Sequence, residues 1–385
     1  MKLLFAKAAV YCLPFTAVLG YPLLVLYSSG ELTPLADVVE IQQQDTPTLH
    51  GLAYSNQDKA LKLMATQARR PEVLALGNSR VSQFRAGFFR DSVNFYNATM
   101  SATGVADFRR FLDQIPDGQQ PQLILLGLDQ WFFNENFWDY DKKALPERFE
   151  AQDQADIFEN FWRTVIKDRL KNKFTLSNIW GAPHLIGINA KIRHTGFRND
   201  GSIRYGHILA NPNDSTLEDY NFRSSLKDIK TGHHSWGHAQ EVSGEALREL
   251  RLFLRDCAAR DIHVIGFLPP YAHTVWKVMQ SMSTEYAYLS KLEASLSPLF
   301  EERGFEFYNF SDITSVGSSD AEALDGNHGS EKTHLRLMIK LLKQGSALSR
   351  YADLDALETC LQNSSSNLET VCSTHATTSI PHQIL

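Results

Sequence analysis

The chain has no basic run and no excess of positive charge: 38 Lys and Arg stand against 44 Asp and Glu, for a formal net charge of −6. A protein that tracks a phosphate backbone needs a clustered cationic face, so nucleic acid is not an expected partner. No internal repeat is present. No metal-ligand pattern is complete either. His233-His234-x-x-x-His238 has no third ligand of Asp, Glu or Cys type in a matching pattern nearby, and Gly232, Ser235 and Gly237 disfavour the helix that would bring His234 and His238 to one face. Neither a metal nor an organic cofactor is expected. Cysteine is scarce, at four residues. Cys12 lies in an apolar amino-terminal stretch and Cys257 on a helix face that reads as core. Cys360 and Cys372 flank a Ser/Asn-rich loop, where they are either a pair joined in an oxidising compartment or two free thiols.

What is present begins with enough apolar residues, 43% of 385, to bury a large core. After Lys2 and Lys7, residues Ala8 to Tyr27 carry no charge and are largely apolar. Twenty helical residues would span about 30 Å, the thickness of a bilayer core. Lysines on the near side predict a cytoplasmic amino end with the remainder exported. The preferred reading of residues 1–30 is therefore an uncleaved membrane helix. The alternative is a cleaved signal peptide, with Ser28-Ser29-Gly30 near the cut. Both readings place the rest of the chain outside the cytoplasm, in the periplasm or at the cell surface.

Residues 31–67 are polar and irregular, and read as a stalk followed by a first amphipathic helix. An alternation of strands and helices then starts. Val73–Leu76, Val93–Asn97 and Leu123–Leu126 are short strand-like runs, with a helix from Ser79 through Phe89 and another over Val105–Ile115. From Trp131 to about residue 242 the alternation stops in an aromatic-rich, turn-rich insertion, read as partly covering the sheet's active edge. Its aromatics include Trp131, Phe132, Phe133, Phe137, Trp138 and Tyr140, a set suited to a local core or to stacking on sugar rings. Alternation resumes at Gly244. A helix carries Leu247, Leu250, Leu254 and Cys257 on one face, His263–Leu268 is a strand, a helix covers about Val275–Phe300, and Phe305–Phe310 is a strand. The fold class predicted is α/β, a five-stranded parallel sheet flanked by helices, with core halves at 68–130 and 243–350. Residues 351–385 read as a loosely packed tail.

Two motifs carry chemistry. In the first, Gly77 lets the backbone turn sharply after a strand, and Ser79 follows where its hydroxyl and neighbouring N–H groups face the sheet's carboxyl edge. A helix cap at Asn78 or Ser79 is the plainer reading of that stretch alone. In the second, Asp325-Gly326-Asn327-His328 follows the fifth strand and places an imidazole base and a carboxylate that orients it at the same edge. The chain lacks Gly-x-Ser-x-Gly, because Val81 occupies the second glycine position, which argues against an ordinary α/β-hydrolase.

Together these motifs resemble the SGNH (GDSL-like) hydrolase superfamily, in particular its membrane-anchored members tied to cell-envelope polysaccharide modification. The resemblance covers roughly residues 70–130 and 243–345. It implies a flavodoxin-like α/β fold with Ser79 as nucleophile, His328 as base and Asp325 as its orienter. In the family's second block a glycine N–H faces the oxyanion. Here Asn97-Ala98-Thr99-Met100-Ser101-Ala102-Thr103-Gly104 occupies that place, with Ala102 or Gly104 as the implied donor. The third block normally supplies an asparagine, and this chain has Asp129 in Gly127-Leu128-Asp129-Gln130. An ionised carboxylate there would repel a developing oxyanion, whereas a protonated one would donate to it.

The expected function is a serine esterase or O-acyltransferase acting on acyl groups, acetyl above all, of an envelope or exported polysaccharide. Its partners would be the polysaccharide or acyl donor, the membrane through the amino-terminal helix, and envelope proteins. The competing expectation is a catalytically silent module that holds a glycan or a protein partner in an envelope assembly.

Overall fold

The computed structural model describes residues 18–137 and 149–372. Described residues divide into two compact units, one of 18–57, 150–199 and 203–207, the other of 58–137, 149, 200–202 and 208–372.

The second unit is α/β. Five strands, β1 (Val73–Leu76), β2 (Phe95–Ala98), β3 (Leu123–Gly127), β4 (His263–Leu268) and β5 (Glu306–Asn309), form one all-parallel sheet in the order β2-β1-β3-β4-β5. The first three strands are buried along their whole length, and β1 and β3 accordingly read as unbroken apolar runs. Alternation of side chains sends Val73, Ala75, Leu123, Leu125, Ile265 and Phe267 to one face, where they pack in a single core with Leu335, Met338 and Leu341. Those three lie on α6 (Glu331–Lys343). Long helices packed around the sheet include α1 (Asp58–Arg69), α2 (Val105–Asp113), α3 (Gly244–Ala259), α4 (His273–Ser281), α5 (Leu292–Glu301) and α7 (Leu354–Asn363). On α2 and α3, Phe108 and Phe253 meet with ring centres 5.7 Å apart. Each large apolar side chain buried this way contributes about 1.5–3 kcal/mol. In register, Leu76 lies beside Ala98 and Leu126, so the carboxyl ends of β1, β2 and β3 are level. The segments leaving those ends share one edge.

Several expectations are corrected. No helix runs from Ser79 through Phe89; the chain makes two short 3-10 turns, Ser79–Val81 and Ala86–Phe88. The Asn97 amide takes the Val81 and Phe84 carbonyls (2.8 and 2.9 Å), acceptors that an α-helix would use for itself. The expected helix over 275–300 is two helices, α4 and α5, separated by residues 282–291. The tail is not loose up to residue 372: α7 packs on α6 with Leu357 and Cys360 buried, and Cys360 is bonded to Cys372, their Cα atoms 4.9 Å apart.

The first unit replaces the expected stalk. Around a small mixed sheet in the order Leu185–Ile186, Leu49–His50, Thr195–Phe197, Ile203–Tyr205, it joins residues far apart in sequence. Two of its buried polar residues, Glu31 and Gln42, bond within the unit. The buried Glu31 carboxylate, with its pKa raised by burial, accepts from the amides of Ala53, Tyr54 and Ile188 at 2.8–3.3 Å. The 131–242 insertion is therefore split: 150–199 and 203–207 belong to this unit, and 208–242 to the α/β unit.

Of the expected membrane helix, residues 8–17 lie outside the described residues, as do Trp138 and Tyr140; residues 18–29 are helical. Val25 and Leu26 pack with Val165, Phe174, Ile179 and Ile188, while Val18, Leu19, Leu23, Leu24 and Tyr27 are exposed. Among the described residues no helix is long and apolar enough to cross a membrane.

Candidate active site

The turn that presents Ser79 is built on two glycines and one wedge. Val81 packs over Gly77 and Gly127, at and just past the level ends of β1 and β3; a Cβ at Gly127 would lie 2.3 Å from Val81 Cγ1, and one at Gly77 2.9 Å from it. Arg80, buried, holds the same turn from the far side. Its Nη1 donates to Gln130 Oε1 (2.5 Å) and its Nη2 to the Pro269 carbonyl (2.6 Å), tying the turn to the ends of β3 and β4. The guanidinium lies 4.0 Å from the Tyr271 ring centre and 5.3 Å from Trp131. His334 is buried beneath Arg80. Its ring nitrogens face the Ser330 and Arg80 carbonyls at 2.9 and 3.0 Å, and burial lowers its pKa in spite of them. Its place is structural.

Ser79 Oγ donates to His328 Nε2 at 2.8 Å. His328 Nδ1 donates to Asp325, 2.8 Å from Oδ2 and 2.9 Å from Oδ1. Asp325 Oδ1 also accepts the amides of Asn327 (2.7 Å) and His328 (2.8 Å). Burial pushes the Asp325 carboxyl up, but the His328 ring and the two amides outweigh it and hold the acid below its ordinary range. It therefore stays ionised beside the imidazole and fixes the tautomer that leaves Nε2 free to take the serine proton. Ser79, His328 and Asp325 thus converge at the carboxyl edge of the sheet. This is the geometry of an activated nucleophile.

The three oxyanion candidates are placed differently. Met100 takes a left-handed φ of 65°, a conformation uncommon for a residue with a side chain. The amides of the next two residues, Ser101 and Ala102, both donate to the Gly77 carbonyl, at 3.2 and 3.4 Å. Ala102 is wholly buried, and its amide makes a long bond. The Ser79 amide is taken by the Asn78 side chain at 2.8 Å. Gly104 caps α2. Asp129, 1% exposed, follows β3 by two residues, with Oδ1 3.7 Å from Arg80 Nη1 and, among the described residues, no hydrogen-bond partner for Oδ2. Burial raises its pKa to about 7 despite the Arg80 and His328 charges, so near neutral pH much of it is the uncharged acid.

Sequence reasoning missed the residues that hold the base in place. The Asp219 Oδ2 atom accepts the Gly326 amide (2.8 Å) and the Ser225 hydroxyl (2.6 Å), while Oδ1 accepts the Ser225 amide (2.9 Å). Gly326 fits closely there: a Cβ on it would lie 2.5 Å from Ser225 Oγ and 2.9 Å from Val275 Cγ2. So the 208–242 part of the insertion does reach the active edge, and it braces the loop between Asp325 and His328. No local pattern at Asp219 signals this, because its partner lies 107 residues away. In the His233–His238 stretch, His238 Nε2 lies 2.8 Å from the Ile229 carbonyl and its ring stands edge-on to Tyr286 at 5.2 Å. Comparison with models of known protein families, with curated proteins and with solved structures found no match to this chain.

Proposed function

We propose that this protein is an SGNH-like serine esterase or O-acyltransferase that acts on acyl groups, acetyl above all, of an envelope or exported polysaccharide. The single observation that carries the reading is the unbroken relay from Ser79 Oγ through His328 to Asp325, at 2.8 Å for each link. Ser79 Oγ attacks the ester carbonyl carbon as His328 Nε2 takes its proton. Collapse of the tetrahedral adduct breaks the bond to the alcohol, which leaves with that proton, and an acyl-Ser79 ester remains. Water or a sugar hydroxyl then attacks the acyl carbon, His328 takes the new proton, and Ser79 recovers it as its ester bond breaks. The polysaccharide and the membrane-anchored, extracytoplasmic location come from the family resemblance and from the amino-terminal sequence, and both belong to the proposal. The outward Leu19, Leu23 and Tyr27, continuous in sequence with apolar residues 8–17, are consistent with an anchor.

A second reading, a silent glycan- or partner-binding module, draws on one observation. The Ser79 and Ala102 amides are both spent on internal bonds, and a carboxyl stands at residue 129. Fluorophosphonate labelling and p-nitrophenyl acetate turnover separate the two. The esterase reading expects both from the wild type and neither from Ser79→Ala. Labelling that survives Ser79→Ala removes the nucleophile. Absence of labelling and turnover in the wild type leaves the binding module.

A further inference from the structure

A second histidine–carboxylate couple stands at the same sheet edge, and nothing in the relay uses it. His273 opens α4, just past the end of β4, and Asp312 follows β5. The His273 Nδ1 atom lies 2.9 and 3.1 Å from the Asp312 carboxylate oxygens, the same orientation that Asp325 imposes on His328. With Nδ1 bearing the proton, Nε2 is an acceptor with no partner among the described residues, on a side chain 40% exposed. The couple is tethered to the catalytic loop, since the amide of the preceding residue, Ala272, donates to the Gly326 carbonyl at 3.2 Å.

Trp276 lies one helical turn on from His273, so the two share a face of α4. It is half-buried. Its ring is nearly parallel to that of Tyr271, 9° between planes and 6.0 Å between centres, and Tyr271 in turn carries the Arg80 guanidinium at 4.0 Å. A continuous stack thus leads from the residue beside the nucleophile to Trp276. A rigid aromatic surface next to a directional acceptor is what pyranose recognition needs, because a sugar ring presents an apolar face of C–H groups rimmed by hydroxyl donors.

We propose that Trp276 and His273 form a carbohydrate subsite beside the Ser79 relay. The indole takes the apolar face of a sugar ring, and His273 Nε2 accepts a hydrogen bond from one of that ring's hydroxyls. The inference rests on the acyl-transfer reading and assigns residues to the binding of its sugar. The partly exposed couple binds the sugar; His328 remains the base.

The test compares full-length wild type, Trp276→Ala, His273→Ala and the control Lys277→Ala, an exposed neighbour on the same helix. Each is assayed on p-nitrophenyl acetate and on acetylated xylo-oligosaccharides. The ratio of kcat/KM on the oligosaccharide to that on the small ester is expected to fall about tenfold in Trp276→Ala and in His273→Ala, through KM, the scale of one lost aromatic or hydrogen-bonding contact. It should not change in Lys277→Ala. Equal losses on both substrates would assign the two residues to the frame of the site and overturn the subsite, as would an unchanged ratio, and in both cases the esterase reading would survive. If the wild type turns over neither substrate, the esterase reading fails by itself. The subsite is then read by tryptophan fluorescence in Ser79→Ala titrated with the same oligosaccharides. A saturable change that Trp276→Ala and His273→Ala each abolish supports it, and no saturable change refutes it.

Discussion

Asp129→Asn is the substitution whose outcome the structure constrains most tightly. Burial lifts the Asp129 carboxyl from 3.8 to about 7, with Arg80 and His328 pulling the other way. In the unfolded chain the group ionises near pH 4 and in the folded protein near pH 7. Below pH 4 both states hold the proton and folding gains nothing from pH. Between the two values only the folded state holds it, so stability falls as pH rises and the loss is complete above pH 7. About three units at 1.36 kcal/mol each make that loss about 4 kcal/mol. Asparagine never ionises. The stability gap between Asp129→Asn and wild type is therefore expected to open between pH 4 and pH 7 and to favour the variant by up to about 4 kcal/mol at pH 8. Urea denaturation at pH 4.5, 6 and 8 measures it. A gap independent of pH, or a variant less stable than wild type at pH 8, refutes the buried-acid account. Turnover carries a second signature. If the neutral acid donates to the oxyanion, wild-type activity declines as Asp129 ionises above about pH 7, and the alkaline limb is absent from Asp129→Asn because an amide donates at every pH. Identical alkaline limbs in the two proteins would remove Asp129 from the hole.

Gly127→Ala forces a methyl group to within 2.3 Å of Val81 Cγ1 and should cost about 1–3 kcal/mol with a loss of turnover; adding Val81→Ala should restore part of both. Asp219→Ala leaves the Gly326 amide without its acceptor and should lower kcat on p-nitrophenyl acetate by about tenfold with the unfolding midpoint little moved, the mark of a positioning residue. Cys360→Ser with Cys372→Ser opens a link spanning 12 positions and should lower stability by about 3 kcal/mol, read by chemical denaturation under oxidising conditions. A reporter active only in the cytoplasm, fused to the carboxyl terminus, should stay silent in cells, and strong activity from it would reverse the orientation drawn from Lys2 and Lys7.

Features that depend on near neighbours were legible in the sequence. Val73–Leu76, Leu123–Gly127 and His263–Leu268 are buried on both faces, so their composition alone marks them as parallel strands. Asp325 and His328 are three residues apart in one loop, and the spacing itself carries their pairing. Features decided by distant partners were not legible. The Ser79 turn fails to become a helix because of the Asn97 side chain, 13 to 16 positions on. Polar residues 31–57 look like a solvated stalk until Ile188 and Asn199 supply their bonds. The brace from Asp219 and the protonation of Asp129 are products of the finished fold, one set by a contact across 107 residues and the other by burial.

The interleaving of the two units has a consequence for the order in which the chain can fold as it is made. Glu31 waits for the amide of residue 188, and the strand at Leu49–His50 for partners at 185–197, so the first unit closes only after about 200 residues have emerged. By then β1, β2 and β3 are already made, but β3 lacks its neighbour β4 until residue 263, and α6, which covers one face of the sheet, comes later still. For the synthesis of roughly 60 to 130 residues, about 3 to 26 seconds at typical elongation rates, an apolar three-strand sheet lacks the strand that will cover its β3 edge and the helix that will cover one face. A nascent chain of this design needs protection during that interval. Truncations ending between residues 210 and 260 are the ones expected to aggregate or to be captured by chaperones, whereas chains ending after residue 345 should be soluble.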